Sequence, residues 1–146
     1  MRYEKIAFVC AETKPTRDAK KELEKKHGKV APDKADVIVA LGGDGTMLET
    51  MHEYNRLNIP VYGMNMGSVG FLLNPYNIEN LPDRLNASQK VVLHPLRMIA
   101  KTEDGEEIKA IAFNEVALFR QRRQTAHVSI TVDGVERMPE LVCDGT

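Results

Sequence analysis

Ala35-Asp36-Val37-Ile38-Val39-Ala40-Leu41-Gly42-Gly43-Asp44-Gly45-Thr46, residues 35–46, is the stretch on which the fold turns. After Asp36 it is wholly apolar as far as Leu41, the pattern of a parallel strand buried on both faces. It runs straight into a glycine turn, and Met47–Arg56 (MLETMHEYNR) then reads as a helix. Towards the N-terminus, Lys5–Cys10 (KIAFVC) reads as a short strand. Residues 16–27 (TRDAKKELEKKH) form a charged helix that Gly28 can cap, and the charge run over 20–29 is its solvated face. Towards the C-terminus come a strand over Pro60–Met64, a second glycine-bearing turn over Asn65–Gly70, and a helix over Asn77–Ala87 opening loosely around Pro82. Strands that alternate with helices predict a parallel α/β domain.

Near residue 90 the pattern changes. Lys90–Thr102, Glu107–Leu118 and Ala126–Val132 read as strands with no helix between them. Glu103-Asp104-Gly105-Glu106 and Asp133-Gly134 are hairpin turn signals. The expected division is an α/β domain over residues 1–88 and an antiparallel β region over 89–146.

The 146 residues are 42% apolar and 28% charged, an ordinary globular composition. Twenty basic residues face 21 acidic ones, for a net charge of −1. That balance argues against electrostatic binding to nucleic acid or to an anionic membrane. Cys10 and Cys143 each adjoin an apolar run, and both read as buried free thiols rather than a disulfide or zinc pair. The N-terminus lacks the apolar core of a signal peptide, and no apolar stretch reaches the length of a membrane span. The cytoplasm is the expected compartment.

Six of the ten glycines fall between residues 42 and 70. A glycine turn between a buried strand and a helix presents backbone amides to an anion, and the helix dipole adds to the attraction. Residues 42–46 are therefore a candidate phosphate site, against the plainer reading of a tight structural turn. Asp44 is the informative residue. A carboxylate would repel a phosphate it merely bordered, but it suits a metal ligand or a base for an attacking hydroxyl. Its plainer reading is a helix cap, a job Thr46 can also fill. No Gly-Lys-Ser/Thr follows, so this is not a Walker loop, and the dinucleotide fingerprint G-x-G-x-x-G is missing too.

Leu41–Leu48 (LGGDGTML) resembles the GGDGT signature of NAD kinases, which lipid kinases share and phosphofructokinases carry in a related form. Tyr62–Leu72 (YGMNMGSVGFL) resembles the G-x-N-x-G-x-x-G-F-L segment of NAD kinases, which lipid kinases lack in this form at this distance. Phe113-Asn114-Glu115-Val116 is similar to the family's N-E segment, and Cys143-Asp144-Gly145 to the start of its D-G-x-x-x-x-T-P-x-G-S-T-A-Y segment. The four motifs stand in the family's order. The resemblance implies a Rossmann-like N-terminal domain followed by the beginning of an antiparallel β-sandwich. It also implies phosphorylation of the adenosine ribose 2′-hydroxyl of NAD by ATP or polyphosphate, with Mg²⁺ or another divalent metal.

By the same resemblance Asp44 is the base, and Gly43, Gly45, Thr46, Asn65 and Gly70 border the nucleotides. Phe71 lines the NAD pocket, the alternative for its ring being simple core packing. Asn114 bonds the adenine end with Glu115 beside it, and an amide offers the donor and acceptor that an adenine edge needs. Asp144 contacts the nicotinamide side or a neighbouring subunit's ligand. His127 and the arginines Arg120, Arg122 and Arg123 read either as ligand neighbours or as a solvated hairpin loop. Asp44→Asn is expected to abolish most turnover while leaving NAD binding largely intact.

The chain ends at Thr146, before the family's T-P-x-G-S-T-A-Y stretch. It is thus expected to need a complementing C-terminal half, or a homo-oligomer, for activity. Two other functions stay open on the sequence: a lipid or small-alcohol kinase sharing GGDGT, and a nucleotide-binding assembly module without turnover.

Overall fold

A computed structural model of the chain describes residues 2–67 and 70–146. Ser68 and Val69 of the second glycine turn lie outside the described residues. Two compact units divide the chain, residues 1–94 and 95–146.

The first unit is a four-stranded parallel sheet of order β1-β2-β3-β4: β1 Ile6–Cys10, β2 Val37–Gly42, β3 Val61–Asn65 and β4 Leu73–Pro75. Three helices accompany it: α1 Lys14–His27, α2 Asp44–Tyr54 and α3 Leu81–Ala87. All six residues of β2 are buried, as expected of a central parallel strand. On one side of the sheet Ile6, Phe8, Val37, Val39, Leu41 and Met64 pack with Ala19 and Leu23 of α1 and with Leu81 and Leu85 of α3. On the other, Ala7, Ala35 and Ile38 gather Val9, Val30, Tyr54, Ile59 and Val61. Helix α1 buries Thr16, Ala19 and Leu23, a single stripe at helical spacing, and the rest of its surface is the charged face read from the sequence. Gly28 ends it at φ 89°, its N–H donating to the Glu24 carbonyl.

Helix α3 begins later than its sequence pattern predicts. Asn77 accepts the Glu79 N–H in a side-chain turn, Asn80 is left-handed at φ 52°, and only then does Pro82 open the first helical turn. Strand β4 carries no sequence signal, being three residues long and ending in proline. Cys10 and Cys143 are free thiols, half-buried rather than fully buried.

Two titratable groups couple this unit to acidification. Asp36 accepts the Lys5 and Glu4 N–H groups at 2.9 and 3.0 Å, and those bonds hold its carboxyl below the ordinary 3.8. His27 lies beside Phe8, ring centroids 6.2 Å apart, with Nε2 buried and unpartnered. Burial first, and Lys26 second, lower its pKa from the ordinary 6.5. In both cases the unfolded chain takes up a proton at a higher pH than the fold, so both contributions are lost on acidification. Thermal midpoints should fall in two stages, the first starting near pH 6.5 and the second near 3.8. His27→Gln should flatten the first stage and Asp36→Asn the second. Identical midpoints across both ranges would refute the coupling.

The second unit holds two antiparallel hairpins: β5 Leu96–Lys101 with β6 Glu107–Ala112, and β7 Ala126–Val132 with β8 Val135–Cys143. Their turns are the two read from the sequence, with Gly105 at φ 84°, Asp133 at 52° and Gly134 at 77°. The register gives each hairpin one wholly apolar face. On the first it is Leu96, Met98 and Ala100 beside Ala112, Ala110 and Ile108. On the second, Ala126, Val128, Ile130 and Val132 lie opposite Cys143, Leu141, Met138 and Val135. None of the described residues 95–146 is buried, so these faces stand largely uncovered within the unit. Both strands of the first hairpin are shorter than their sequence patterns. Pro95 has no N–H to continue the ladder beyond Leu96, so β6 ends at Ala112, and the chain runs irregularly until Leu118 exchanges two backbone hydrogen bonds with Thr146.

Candidate active site

Strands β2 and β3 end side by side, with Gly42 in register with Asn65 and the Met66 N–H donating to the Gly42 carbonyl at 3.0 Å. Both glycine turns therefore leave the same carboxyl edge of the sheet, where open parallel sheets bind ligands. Gly43 is the extended residue before α2 (φ −107°), and no side chain caps that helix. Neither Asp44 nor Thr46 is a cap, so the plainer reading of Asp44 does not hold. Asp44 is instead the first helical residue. Its carboxylate accepts the Phe71 N–H at 3.0 Å and the Leu72 N–H at 3.2 Å. One side chain thus joins two motifs that lie 27 residues apart in the chain.

The glycines fall into two classes when a Cβ is placed on each. At Gly42 it would come within 2.3 Å of Thr46 Oγ1, at Gly63 within 2.2 Å of a Leu73 methyl, and at Gly70 within 2.7 Å of the other Leu73 methyl and 2.9 Å of Asp44 Oδ1. These three are packing glycines. At Gly43, Gly45 and Gly67 nothing lies within 4 Å, and all three are exposed. Only this second class leaves its α-carbon uncovered, and of the three the Gly67 N–H is already taken by Asn65. Sequence reading placed Gly43, Gly45 and Gly70 together at the nucleotides, and here Gly70 falls with the first class.

Asn65 folds back on its own turn, Oδ1 accepting the Gly67 N–H at 2.9 Å. Phe71 is 99% exposed, which removes core packing as the explanation of its ring. An exposed aromatic ring on a turn whose backbone is bonded to a carboxylate can offer a face to a planar group.

In the second unit, Asn114 and Glu115 sit exposed on the irregular stretch after β6. Asp144 follows β8 and is clasped by Arg120, with Nε donating to Oδ1 at 2.6 Å and the Arg120 N–H donating to the Asp144 carbonyl at 3.0 Å. Arg120 also donates to the Arg122 carbonyl. A bridge between Phe119 and Gly145 extends the clasp. Phe119, Gln121, Arg122 and Arg123 line an open depression around it. The sequence carries no sign of the Arg120–Asp144 pair, since its partners are 24 residues apart. His127 pairs across the hairpin with Glu140, Nδ1 to Oε1 at 2.7 Å, as an exposed surface pair. Among the described residues no three His, Cys, Asp or Glu side chains converge to hold a metal ion, and no helix is long and apolar enough to cross a membrane.

Comparison with known proteins identifies the family. A family model of the ATP-NAD kinase N-terminal domain matches residues 1–90. The NAD kinase of Brucella suis biovar 1 (strain 1330) is 52% identical over 140 residues, covering 96% of this chain and 54% of that protein. The NAD kinase of Caulobacter vibrioides is 49% identical over 141 residues, 97% of this chain and 54% of its own. The crystal structure of an NAD kinase from Archaeoglobus fulgidus in complex with ATP superposes with a TM-score of 0.62 at 29% identity, covering 96% of this chain and 58% of that one. The chain spans about half the length of the curated relatives it matches. With the family model over residues 1–90 and relatives at about half identity along nearly all of its length, the chain belongs to the NAD kinase family.

Proposed function

We propose that the protein phosphorylates the 2′-hydroxyl of the adenosine ribose of NAD, with ATP or polyphosphate as donor, to give NADP. The observation that carries this reading is the placement of Asp44, half-buried at the start of α2 between the open glycines and the Phe71 turn. Each carboxylate oxygen accepts one backbone N–H and keeps a second lone pair. Asp44 can therefore take the proton of the attacking hydroxyl without leaving its turn. As the 2′-oxygen bonds to the terminal phosphorus, the bond from that phosphorus to the departing phosphate breaks and the hydroxyl proton passes to Asp44. Gly43, Gly45 and the Thr46 amide in the first turn of α2 receive phosphate oxygens. Asn65 and Gly70 shape the second turn, and Phe71 stacks on a base.

In the same reading Asn114 bonds the adenine edge with Glu115 beside it, Asp144 meets the nicotinamide side or a neighbouring subunit's ligand, and His127 lies near the ligand. The described residues offer no built metal centre. A divalent ion such as Mg²⁺ would travel on the donor's phosphate oxygens and neutralise their charge. The organisation proposed is an α/β domain over 1–88 and the first part of a β domain over 89–146. The working form is a homo-oligomer in the cytoplasm, without nucleic acid or membrane.

The test is NADP formation from NAD, ATP and magnesium, with diacylglycerol as the competing acceptor. Phosphate transfer to the lipid and none to NAD would reject the reading. Asn114→Ala should raise the dissociation constant for NAD by about five- to tenfold, the loss of one hydrogen bond to a base, and slow the chemical step less. An unchanged constant in calorimetry would remove Asn114 from the adenine site.

A further inference from the structure

Leu73 opens β4 in register with Gly63 of β3. Its two methyls occupy the space where two other side chains would otherwise stand. A Cβ on Gly63 would lie 2.2 Å from Leu73 Cδ2, and one on Gly70 would lie 2.7 Å from Cδ1 and 3.2 Å from Cγ. The space at Gly63 is closed further by Met47 Sδ at 3.2 Å and the Leu72 carbonyl at 3.3 Å. One branched side chain is thus seated on two glycines, one in the neighbouring strand and one at the start of the Phe71 turn. On the other flank of that turn, Asp44 holds the Phe71 and Leu72 amides. Gly70 meets both restraints, since its Cβ position is also 2.9 Å from Asp44 Oδ1.

The Phe71 ring itself is 99% exposed and gains no position from the core. Where it stands is set by its backbone, and its backbone is set by these two restraints. Asp44 is a candidate for chemistry in its own right, whereas Leu73 carries no reactive group.

We infer that Leu73 is a positioning residue: a wedge seated on Gly63 and Gly70 that presses the 70–72 turn onto Asp44 and so presents Phe71 to the nucleotide. The part played by the nucleotide rests on the proposed NAD-binding function; the wedge does not. Preorganising an aromatic wall in this way strengthens binding by removing the ordering that the ligand would otherwise impose.

The test uses the purified protein, with Leu73→Ala, Leu73→Met, Gly63→Ala and the double variant Gly63→Ala/Leu73→Ala. Hydrogen exchange of the Phe71 and Leu72 amides reads the turn, and calorimetry with NAD reads the platform. Leu73→Ala should speed exchange at both amides about tenfold or more while the β1 and β2 amides stay protected. It should weaken NAD binding by about tenfold. Leu73→Met, which refills the same space, should restore most of both. Gly63→Ala should loosen the same turn by driving the leucine out. The double variant should loosen the turn by less than the sum of the two single effects, because the closest clash at Gly63, at 2.2 Å, is with Leu73 itself. Unchanged exchange at Phe71 and Leu72 in Leu73→Ala would overturn the wedge, and so would strictly additive effects in the double variant. Faster exchange with undiminished NAD affinity would overturn the positioning role. A parent protein that does not bind NAD would refute the functional reading, while the exchange data would still decide the wedge.

Discussion

Asp44→Asn should lower turnover by about 10²–10⁴-fold, the usual effect of removing a general base. Asparagine has nearly the shape of aspartate but cannot take the proton of a hydroxyl. The structure adds a second effect to the one read from sequence. Both carboxylate oxygens accept backbone N–H groups, from Phe71 at 3.0 Å and Leu72 at 3.2 Å. An asparagine has a single acceptor oxygen, and its NH₂ group would face the other N–H. One amide then loses its partner, which costs about 1–3 kcal/mol where the group is shielded from water and less where it is not. NAD affinity should therefore fall too, by up to about tenfold, rather than stay intact. The two effects separate in single-turnover measurements at saturating NAD, where only the chemical step remains. Near-normal single-turnover rates would remove Asp44 from the role of base. A drop in rate with no change in affinity would show that its hold on the turn does not matter for binding.

The second large effect comes from making one substitution at two adjacent glycines. Gly42→Ala would put a Cβ 2.3 Å from Thr46 Oγ1 and 2.7 Å from Thr46 Cβ. The threonine belongs to the first turn of α2, so the helix start must shift. Overpacking of this kind typically costs about 1–3 kcal/mol. Gly43→Ala would meet nothing within 4 Å, and its φ of −107° is ordinary for any residue. It should fold with a stability within about 0.5 kcal/mol of the parent. Yet it would put a methyl on an exposed face of the turn where the proposed function seats phosphate, so it should lose turnover and nucleotide affinity. Urea unfolding and NADP formation measured on both variants give the comparison. Equal stability losses would show that the packing assignment of Gly42 is wrong. Full activity in a well-folded Gly43→Ala would show that no ligand approaches there.

Much of the first unit was legible because its signals are local. Five apolar residues in a row after Asp36 require burial on both faces, and the run of helix formers over 16–27 stops at the glycine that caps it. The hairpin turns were legible for the same reason, since Gly105, Asp133 and Gly134 adopt the positive φ that their residue types favour. Strand ends were less legible. The stretch after Ala112 keeps a strand-like composition, but its ladder with β5 stops where Pro95 has no N–H to offer.

Within the candidate site, the sequence by itself determined which residue types stand in the two glycine turns, and so that an anion site with an acidic residue was plausible. Only the tertiary structure decided which glycines make room for a neighbouring side chain and which stand open, because Gly63, Gly70 and Leu73 meet through strand register rather than through spacing along the chain. The same holds for Asp44 with Phe71 and for Arg120 with Asp144, pairs separated by 27 and 24 residues. Periodicity and propensity report on neighbours within one turn of helix or two residues of strand. Contacts across the sheet edge depend on how the strands align, and no local pattern in the chain encodes that alignment.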